Sequence, residues 1–272
     1  MGERAFFFQG VSVLAPGEGA DAVENLEIPL AYAEHFSPAD IFTVPAVIGS
    51  AQEGQTVSGV YVPPEAPLPP RWQAISVRQI LSLADGPLDG TGQTGRLLRA
   101  FHIAQWRGES RFCGSCGSAN TDAVLDAAST GPARQCPSCG RMEFPRIAPA
   151  IMALVTNDEG KILLAHNKTF APGLYSLIAG FVEAGENLEA AAAREVREEA
   201  GIAIHDIQYA ASQPWPFPHS LMICFTARHA SGAVRPDGVE IADAQWFSRD
   251  NLPTLPRQGS IARRLIEGWL EG

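Results

Sequence analysis

Residues 146–272 are predicted to form an α/β domain in which a mixed sheet is covered by helices on both faces. Segments with the apolar residues typical of strands alternate there with segments whose apolar residues recur at helical spacing. Strands that alternate with helices pack as an α/β/α sandwich. Two pairs of cysteines predict a small ribbon within 96–145, and residues 1–95 are expected to form an N-terminal α+β domain.

The first 95 residues contain strand and helix signals without a recognisable motif. Ala5–Phe8 and Ser58–Val62 are apolar runs that predict short strands. The proline-rich stretch Tyr61–Pro70 predicts a loop, because consecutive prolines cannot continue a helix or a strand ladder. Ser76 is a possible cap for a helix. Apolar residues at steps of three and four predict a further helix at 94–108, which leads into the ribbon.

Cysteine spacing predicts the ribbon. Two Cys-x2-Cys pairs, each followed by glycine, are formed by Cys113, Cys116, Cys136 and Cys139. Thiolates at this spacing bind Zn²⁺ tetrahedrally, and four of them leave no position for water, so the zinc is expected to be structural. The alternatives are two disulfides, which are rare in cytosolic chains, and a redox site, which needs only one pair. The inner loop, 120–134, is polar and is expected to be exposed.

Composition limits the kinds of partner. The formal net charge of −10 argues against general attraction to nucleic acid or anionic membranes, which requires clustered Lys and Arg. The sequence has no apolar run of the roughly 18 residues that a membrane span needs, and its first apolar patch is too short for a secretory signal. We therefore expect a cytoplasmic protein that holds any nucleotide through local groups and metal.

The most informative element is a helix predicted at 188–200, with Asn187 as its N-cap and Gly201 as its left-handed end. Three glutamates fall within an arc of about 100° on the side away from its alanines: Glu195, Glu198 and Glu199. Carboxylates that repel one another offer a site for hard divalent ions such as Mg²⁺ or Mn²⁺, which prefer oxygen ligands. The alternative is a solvated acidic helix face.

The spacing around this helix forms a complete motif. Five residues separate Gly180 from Glu186, and seven more separate Glu186 from the run Arg194-Glu-Val-Arg-Glu-Glu-Ala-Gly-Ile202. Seven positions of the motif have a fixed identity: Gly180, Glu186, Arg194, Glu195, Glu198, Glu199 and Gly201. Seven such identities would coincide by chance on the order of 10⁻⁸ of the time at a given start. The segment resembles the Nudix box of the Nudix hydrolases, which cleave nucleoside diphosphates linked to a second group.

The resemblance implies the Nudix α/β/α sandwich and several residue roles. Metal ligands are implied at Glu195, Glu198 and Glu199 and at the main-chain oxygen of Ala179. The residues implied to be structural are Gly180, which shapes the loop, and Glu186, which supports Arg194. From outside the helix, the resemblance assigns Glu240 as a metal ligand, although by residue type it could be an exposed strand end and Asp243 is its rival.

A second motif, Gln213-Pro-Trp-Pro-Phe-Pro-His-Ser220, predicts a stiff, extended loop that presents two rings for stacking on bases. A rigid connection between strands is the alternative. The array resembles that of the NADH pyrophosphatases within the Nudix family, which also have a zinc ribbon and an N-terminal domain. The resemblance implies a homodimer and these substrate-side residues: Arg78, Phe144, Phe181, Gln213, Pro214, Trp215, Pro216, Phe217, Pro218, His219, Ser220 and Ala262.

The resulting hypothesis is hydrolysis of the pyrophosphate of NAD(H) to nicotinamide mononucleotide and AMP, with Mg²⁺ or Mn²⁺ bound and a glutamate such as Glu198 as the base. Removal of NAD caps from RNA 5′ ends uses the same chemistry. A group of arginines keeps that alternative open: Arg107, Arg111, Arg134, Arg141 and Arg146. The third alternative is a nucleotide sensor or nucleic-acid-binding module with an inactive box.

Overall fold

The computed structural model describes residues 4–17, 26–36, 40–45, 56–83, 92–123 and 132–272. These residues form two compact units, of which the first ends at Arg146 and the second begins at Ile147. The first unit contains both the N-terminal region and the ribbon, whose separation into domains 1–95 and 96–145 remains a prediction. Within the described ranges, no helix is long and apolar enough to cross a membrane.

The first unit is built on a six-stranded sheet of order β4-β5-β1-β2-β6, with β3 paired to β1. Its strands are β1 (Arg4–Gln9), β2 (Ser12–Pro16), β3 (Ile28–Pro29), β4 (Asp40–Pro45), β5 (Thr56–Val62) and β6 (Trp72–Ser76). Its helices are the 3₁₀ helix Leu30–His35, α1 (Val77–Leu83) and α2 (Gly92–Glu109). The strands predicted at 5–8 and 58–62 and the helix predicted at 94–108 are therefore confirmed. Ser76 is the last residue of β6, directly before α1.

Strand β1 is covered on both faces of the sheet. Phe6, Phe7 and Phe8 are fully buried. The ring of Phe8 packs on Phe101 of α2, with centroids 5.6 Å apart, and that of Phe7 packs on Phe36, at 6.0 Å. A strand that is buried on both faces has a continuous apolar sequence, and for this reason β1 could be predicted. The sequence analysis missed β2, β4 and β6, although β2 is also buried on both faces.

The ribbon contains a three-stranded sheet of β7 (Thr121–Asp122), β8 (Arg134–Gln135) and β9 (Met142–Glu143). The prediction of an exposed inner loop is wrong at both ends, because Asn120 and Arg134 are buried. The middle of that loop, 124–131, lies outside the described residues.

Two of the arginines grouped in the sequence are neutralised inside the first unit. Arg107 is buried and donates from Nη2 to Asp40 Oδ1 at 2.6 Å, and its Nη1 lies 2.9 Å from Asp122 Oδ1. Arg134 lies 3.6 Å from each of the same two carboxylates. Hydrogen bonds to Asp40 and Asp122 raise the pKa of Arg107 against the opposing effect of burial. The expectation of one exposed basic patch is therefore wrong for Arg107 and Arg134.

The second unit is the predicted mixed sheet between helices. Its strands are β10 (Ala148–Thr156), β11 (Ile162–Asn167), β12 (Ile178–Phe181), β13 (Ala203–Trp215), β14 (Ser220–Ser231) and β15 (Ile241–Phe247). The order is β13-β14-β10-β11-β15, with β12 paired to β10. The β10–β14 pair is parallel, whereas β12 runs antiparallel to β10, so the sheet is mixed. The helices are α3 (Leu188–Ala200) and α4 (Ile261–Glu271).

Alternation along β10 assigns the two helices to opposite faces of the sheet. Ile151 packs with Ala191 and Ala192 of α3. Its neighbour Met152 belongs to the cluster that contains Ile266 of α4. Successive strand residues point to opposite faces, so α3 and α4 sandwich the sheet as predicted.

Candidate active site

Helix α3 begins and ends where the sequence predicts. The Asn187 side chain accepts a hydrogen bond from the backbone N–H of Ala190 at 2.8 Å, and Gly201 ends the helix with φ of 73°. Ala191, Ala192, Val196 and Ala200 are its buried apolar stripe. Both caps satisfy backbone groups that a helix terminus leaves unpaired, so they fix the start and the end of the segment that carries the glutamates.

Arg194 connects three parts of the motif. Its Nε and Nη2 donate to the two carboxylate oxygens of Glu186 at 2.6 and 2.9 Å, the two-pronged pair that the sequence predicts. Its Nη1 donates to Glu195 and Glu198 at 2.9 Å each, and Nη2 also donates to the Phe181 carbonyl at 3.0 Å. The arginine thus ties α3 to β12 and to the turn between them, and it orients two of the three predicted metal ligands.

Gly180 has a different role from the loop-shaping one that the resemblance implies. It lies inside β12, opposite Ile151 of β10, and a β-carbon there would be 2.1 Å from Cδ of Glu195. Any side chain at position 180 would occupy the space of that carboxyl group. Glycine is therefore required by the close approach of Glu195 to the strand.

Glu199 is a buried carboxylate among other negative charges. It is 8% exposed, and among the described residues no side chain donates a hydrogen bond to it. Burial, followed by the charges of Glu195 and Glu240, raises its pKa to about 8. Burial also raises the pKa of Glu195, while Arg194 opposes that shift. Glu199 has no basic side chain paired with it among the described residues, and a divalent ion has the charge and the preference for oxygen ligands that fit this group of carboxylates.

The fourth predicted carboxylate, Glu240, reaches this group from the turn before β15. Its charge acts on both Glu195 and Glu199. The rival Asp243 is occupied elsewhere, because it accepts hydrogen bonds at 2.6 Å from the Tyr175 hydroxyl and from Gln245. The geometry therefore favours Glu240 over Asp243.

Asp237 is a site residue that the sequence analysis missed. Its carboxylate accepts hydrogen bonds from the backbone N–H groups of Val239, Glu240 and Ile241, at 2.9 to 3.2 Å. Its own N–H donates to the Glu199 carbonyl at 3.3 Å. Asp237 thus shapes the turn that carries Glu240 and attaches it to the end of α3. The signal in the sequence was an Asp three residues before Glu240, a spacing typical of side chains that bond to nearby backbone.

The turn with Glu240 also contacts Lys168, the residue directly after β11. Lys168 donates from its backbone N–H to the Glu240 carbonyl at 2.9 Å, and its Nζ donates to the Gly238 carbonyl.

Strand register directs the carbonyl of Ala179 away from β10. The Val182 N–H donates to Pro149 O, so residues 178, 180 and 182 form the hydrogen-bonded pairs with β10. In an antiparallel pair the intervening residues point their polar groups the other way. The carbonyls of Ala179 and Phe181 therefore face the same edge of β12, where Arg194 reaches Phe181. The predicted main-chain ligand lies on the edge that is open to such contacts.

The carboxylates are less tightly gathered than the cysteines. In the described part of the chain, the cysteines form the one group of three or more His, Cys, Asp or Glu whose ligand atoms all lie within 4.8 Å of one another. Mutual repulsion and the pull of Arg194 on Glu198 explain the wider spacing of the glutamates. The donor set still fits an ion, because Glu199 and Glu195 are held in low-dielectric surroundings without enough positive charge.

The prediction of an extended loop at 212–220 is wrong. Gln213, Pro214 and Trp215 are the last residues of β13, Ser220 is the first of β14, and only 216–219 form the turn of a hairpin. The rings of Trp215 and Phe217 contact each other edge to face, with centroids 5.1 Å apart. The hairpin thus presents a pair of partly exposed rings at one end of the sheet.

The predicted substrate residues of the hairpin differ in exposure. Trp215, Phe217 and His219 are partly buried, Pro218 is exposed, and Pro216 and Ser220 are buried. Gln213 is 1% exposed; its Oε1 accepts from Ile261 N–H at 3.0 Å and its Nε2 donates to Gly259 O at 3.2 Å. Ala262, in the first turn of α4, is likewise buried against the core. The geometry gives Gln213 and Ala262 an indirect role, in which they hold α4 beside the hairpin.

Register brings Phe181 to the same end of the sheet as the hairpin. Phe181 lies opposite Ala150, which pairs with Met222, which pairs with Gln213. Three strand spacings, about 14 Å, separate the first and last of these residues. Residues paired in this way share a face, so Phe181 and Trp215 project on the α4 side while Glu195 approaches Gly180 from the α3 side.

Arg78 and Phe144 belong to the first unit. Arg78 is exposed on α1, and Phe144 is exposed just after β9.

The four cysteines match a tetrahedral site. Their Sγ atoms lie 3.4 to 3.7 Å apart in the pairs 113–139, 116–136 and 116–139. Four thiolates at about 2.3 Å from zinc have edges of about 3.8 Å. Gly117 and Gly140 have φ of 75° and 77° and donate back to the carbonyls of Cys113 and Cys136 at 2.9 Å, so the two halves have the same turn. No disulfide joins these cysteines.

The second unit matches a known domain family. Residues 146–268 match the family model of the NUDIX domain. Among solved structures, a NUDIX hydrolase from Nitrosomonas europaea is 26% identical and covers 59% of this chain and 88% of its own, with a TM-score of 0.46.

Sequence relatives are closer. The "NAD-capped RNA hydrolase NudC" of Stutzerimonas stutzeri is 48% identical over 74% of this chain and 68% of its own length. The protein of the same name from Pseudomonas aeruginosa is 48% identical over 63% of this chain and 59% of its own length, so the alignment spans about three fifths of that relative. A relative of this identity, together with the matching domain, shows that the chain belongs to the Nudix hydrolase family, within its NADH pyrophosphatase subfamily.

Proposed function

We propose that this hydrolase cleaves the pyrophosphate of NAD(H), giving nicotinamide mononucleotide and AMP. The observation that carries the proposal is the acidic group on α3 formed by Glu195, Glu198 and the buried Glu199. It lies at the end of the sheet that also presents Phe181 and the Trp215–Phe217 ring pair. An acidic group suits the metal-bound phosphates of a dinucleotide, and flat rings suit its bases.

The residues that would hold Mg²⁺ or Mn²⁺ are the carboxylates of Glu195, Glu198, Glu199 and Glu240 and the carbonyl of Ala179. Bound there, the ions would neutralise phosphate oxygens and lower the pKa of an attacking water. Arg194 would orient Glu195 and Glu198 throughout. Glu198 is 60% exposed, the most accessible of the three helix glutamates, which supports it as the group that takes the proton from water.

Removal of NAD caps from RNA is a second candidate, because the relatives named above are called NAD-capped RNA hydrolases. The bond cleaved in the cap would be the same pyrophosphate bond as in free NAD. Neutralisation of Arg107 and Arg134 by Asp40 and Asp122 leaves a smaller basic surface for the transcript than the sequence suggests. Arg111, Arg141 and Arg146 remain exposed.

Zinc in the cysteine site would be structural, since four thiolates fill its coordination sphere. A cytoplasmic homodimer also remains part of the proposal. Phe144 and Phe181 are more than half exposed, a cost that a partner subunit or a substrate would offset.

The test is release of the nicotinamide mononucleotide, reduced or oxidised, from NADH, NAD and NAD-capped RNA, measured with Mg²⁺ and with Mn²⁺. The second product is AMP from the free dinucleotides and a 5′-monophosphorylated transcript from the capped RNA. We expect release from all three substrates and its loss in Glu198→Gln. Metal-independent binding of all three without any product would favour the sensor and contradict the proposal.

A further inference from the structure

A pocket of about 240 Å³ lies within the first unit, between the end of β5 and the first cysteine turn. Its lining includes Asp40, Tyr61, Arg111, Phe112, Asn120 and Arg134. None of these belongs to the carboxylate group or to the substrate residues of the proposed reaction.

The pocket carries positive charge that the fold does not neutralise. Asp40 is already shared between Arg107 and Arg134. Arg111 is exposed and has no carboxylate partner in the described ranges; its guanidinium carbon lies 5.7 Å from the centre of the Phe112 ring. In a chain of net charge −10, an unpaired arginine over an exposed ring is a local anion site.

Two aromatic side chains line the pocket, the exposed Phe112 and the partly buried Tyr61. Phe112 is 59% exposed although it is large and apolar. Tyr61 is held in place because its ring lies on Gly108 of α2, where a β-carbon would be 2.6 Å from the ring. Burial raises the pKa of the Tyr61 hydroxyl, with the Arg111 charge opposing, so the hydroxyl remains a proton donor at neutral pH.

The floor has unused hydrogen-bonding capacity. Asn120 Nδ2 and Arg134 Nη1 both donate to the Ser110 carbonyl, at 2.9 and 3.5 Å. Asn120 Oδ1 is buried without a hydrogen-bond partner, whereas Arg134 Nε lies 3.6 Å from Asp122 Oδ1. Buried polar atoms are usually paired, so the unpaired acceptor of Asn120 favours a ligand that brings a donor.

We propose that this pocket binds one nucleotide unit, with its base against Phe112, the base edge toward Asn120, and its phosphate at Arg111. Aromatic rings and arginine planes are the groups on which proteins stack unpaired bases, and the edge of a nucleobase offers donors and acceptors side by side. The unit could be a free nucleoside monophosphate or one nucleotide of an RNA chain. The RNA source deepens the proposed function and rests on it, since a capped transcript continues beyond its cap.

Binding without turnover tests the proposal. The ligands are 5′-AMP and an uncapped octaribonucleotide, and the variants are Arg111→Ala, Phe112→Ala and the ring-preserving Phe112→Tyr. Arg228→Ala and Tyr209→Ala are matched controls, because they remove an exposed arginine and an exposed aromatic ring from the second unit. We expect the two alanine variants to weaken binding about tenfold and Phe112→Tyr and the controls to bind as the unchanged protein does.

Arg111→Ala should also reduce the slope of log affinity against log salt for the octaribonucleotide by about 0.7, the value for one phosphate contact on a single strand. Binding of AMP at micromolar concentration would assign the pocket to free nucleotides; binding of the oligonucleotide alone would assign it to RNA.

Unchanged affinity in both alanine variants, or no binding of either ligand by the unchanged protein, would overturn the proposal. Zinc content, measured for every variant, identifies a ribbon that has unfolded; the alanine variant that keeps its zinc then decides the outcome. Because neither ligand is hydrolysed at a pyrophosphate, these results stand even if NADH proves not to be a substrate.

Discussion

The carboxyl group of Glu195 lies directly over the α-carbon of Gly180, so that a β-carbon at position 180 would fall 2.1 Å from Glu195 Cδ. This contact joins the helix that carries the glutamates to the strand that carries the Ala179 carbonyl. It places predicted metal ligands from two elements beside each other, which no local property of either segment requires.

Gly180→Ala is therefore expected to act through Glu195. The added methyl group displaces the carboxylate, and we expect kcat/KM for NADH to fall about a hundredfold, the scale of losing one preorganised charged group at a reacting centre. The double variant with Glu195→Gln should be no worse than Glu195→Gln alone, because both changes remove one function. Additive losses would show that Gly180 acts independently of Glu195.

The pair of Arg194 with Glu186 predicts a pH dependence of stability. Hydrogen bonds from Arg194 lower the pKa of Glu186 to about 2 in the folded chain. A depressed acid pKa contributes stability that is present above the unfolded pKa, about 4.5, and is lost as pH falls toward 2. Glu186→Gln should thus have a lower free energy of unfolding than the unchanged protein at pH 7, with the gap closing between about pH 4.5 and 2. Urea titrations at several pH values measure this difference in the free energy of unfolding. A difference that stays constant with pH would contradict a stabilising ion pair between Arg194 and Glu186.

Two substitutions of Asp237, to alanine and to asparagine, are expected to differ in their effect on metal dependence. Its Oδ1 accepts from Val239, Glu240 and Ile241, and asparagine retains that oxygen whereas alanine does not. If Asp237 positions Glu240, Asp237→Ala should raise the Mg²⁺ concentration for half-maximal rate about tenfold, as loss of a ligand-orienting partner does, while Asp237→Asn stays near the unchanged protein. Equal effects of both would mean that its charge matters instead. Asp158→Asn, at a fully exposed carboxylate, is the control.

The features that could be predicted from the sequence are those set by residues close together in the chain. Helix α3 could be delimited because its caps and apolar stripe lie within 15 residues, from Asn187 to Gly201. The pairing of Arg107 with Asp40 spans 67 positions, so nothing near either residue signalled it, and the arginines were grouped as a basic patch. The reason for Gly180 was also hidden, since it depends on how a strand and a helix pack. The hairpin was missed because proline content favoured a loop over the ladder between β13 and β14.

The cysteine site predicts one zinc ion per chain. Sγ separations of 3.4 to 3.7 Å already suit tetrahedral binding, so removal of zinc should lower Tm by leaving four thiolates without their cation. Cys116→Ser should lose zinc and lower Tm, whereas Cys224→Ser, at a buried cysteine in β14, should retain the full zinc content. The zinc content of each variant is measured by releasing the ion with a thiol-blocking reagent and counting it with a chelating dye.

Substitution of Gln213 is expected to lower the stability of the protein and not merely its affinity for substrate. Both amide atoms bond to the backbone at the start of α4, and Gln213→Ala leaves the Ile261 N–H and the Gly259 carbonyl without these partners. We expect a cost of about 1–3 kcal/mol in the free energy of unfolding, typical of orphaned buried polar groups. Gln258→Ala, which removes an exposed side-chain bond to Glu267, should cost little. If Gln213→Ala raised KM for NADH but left the urea midpoint unchanged, Gln213 would contact the substrate directly, and its role as the support of α4 would be wrong.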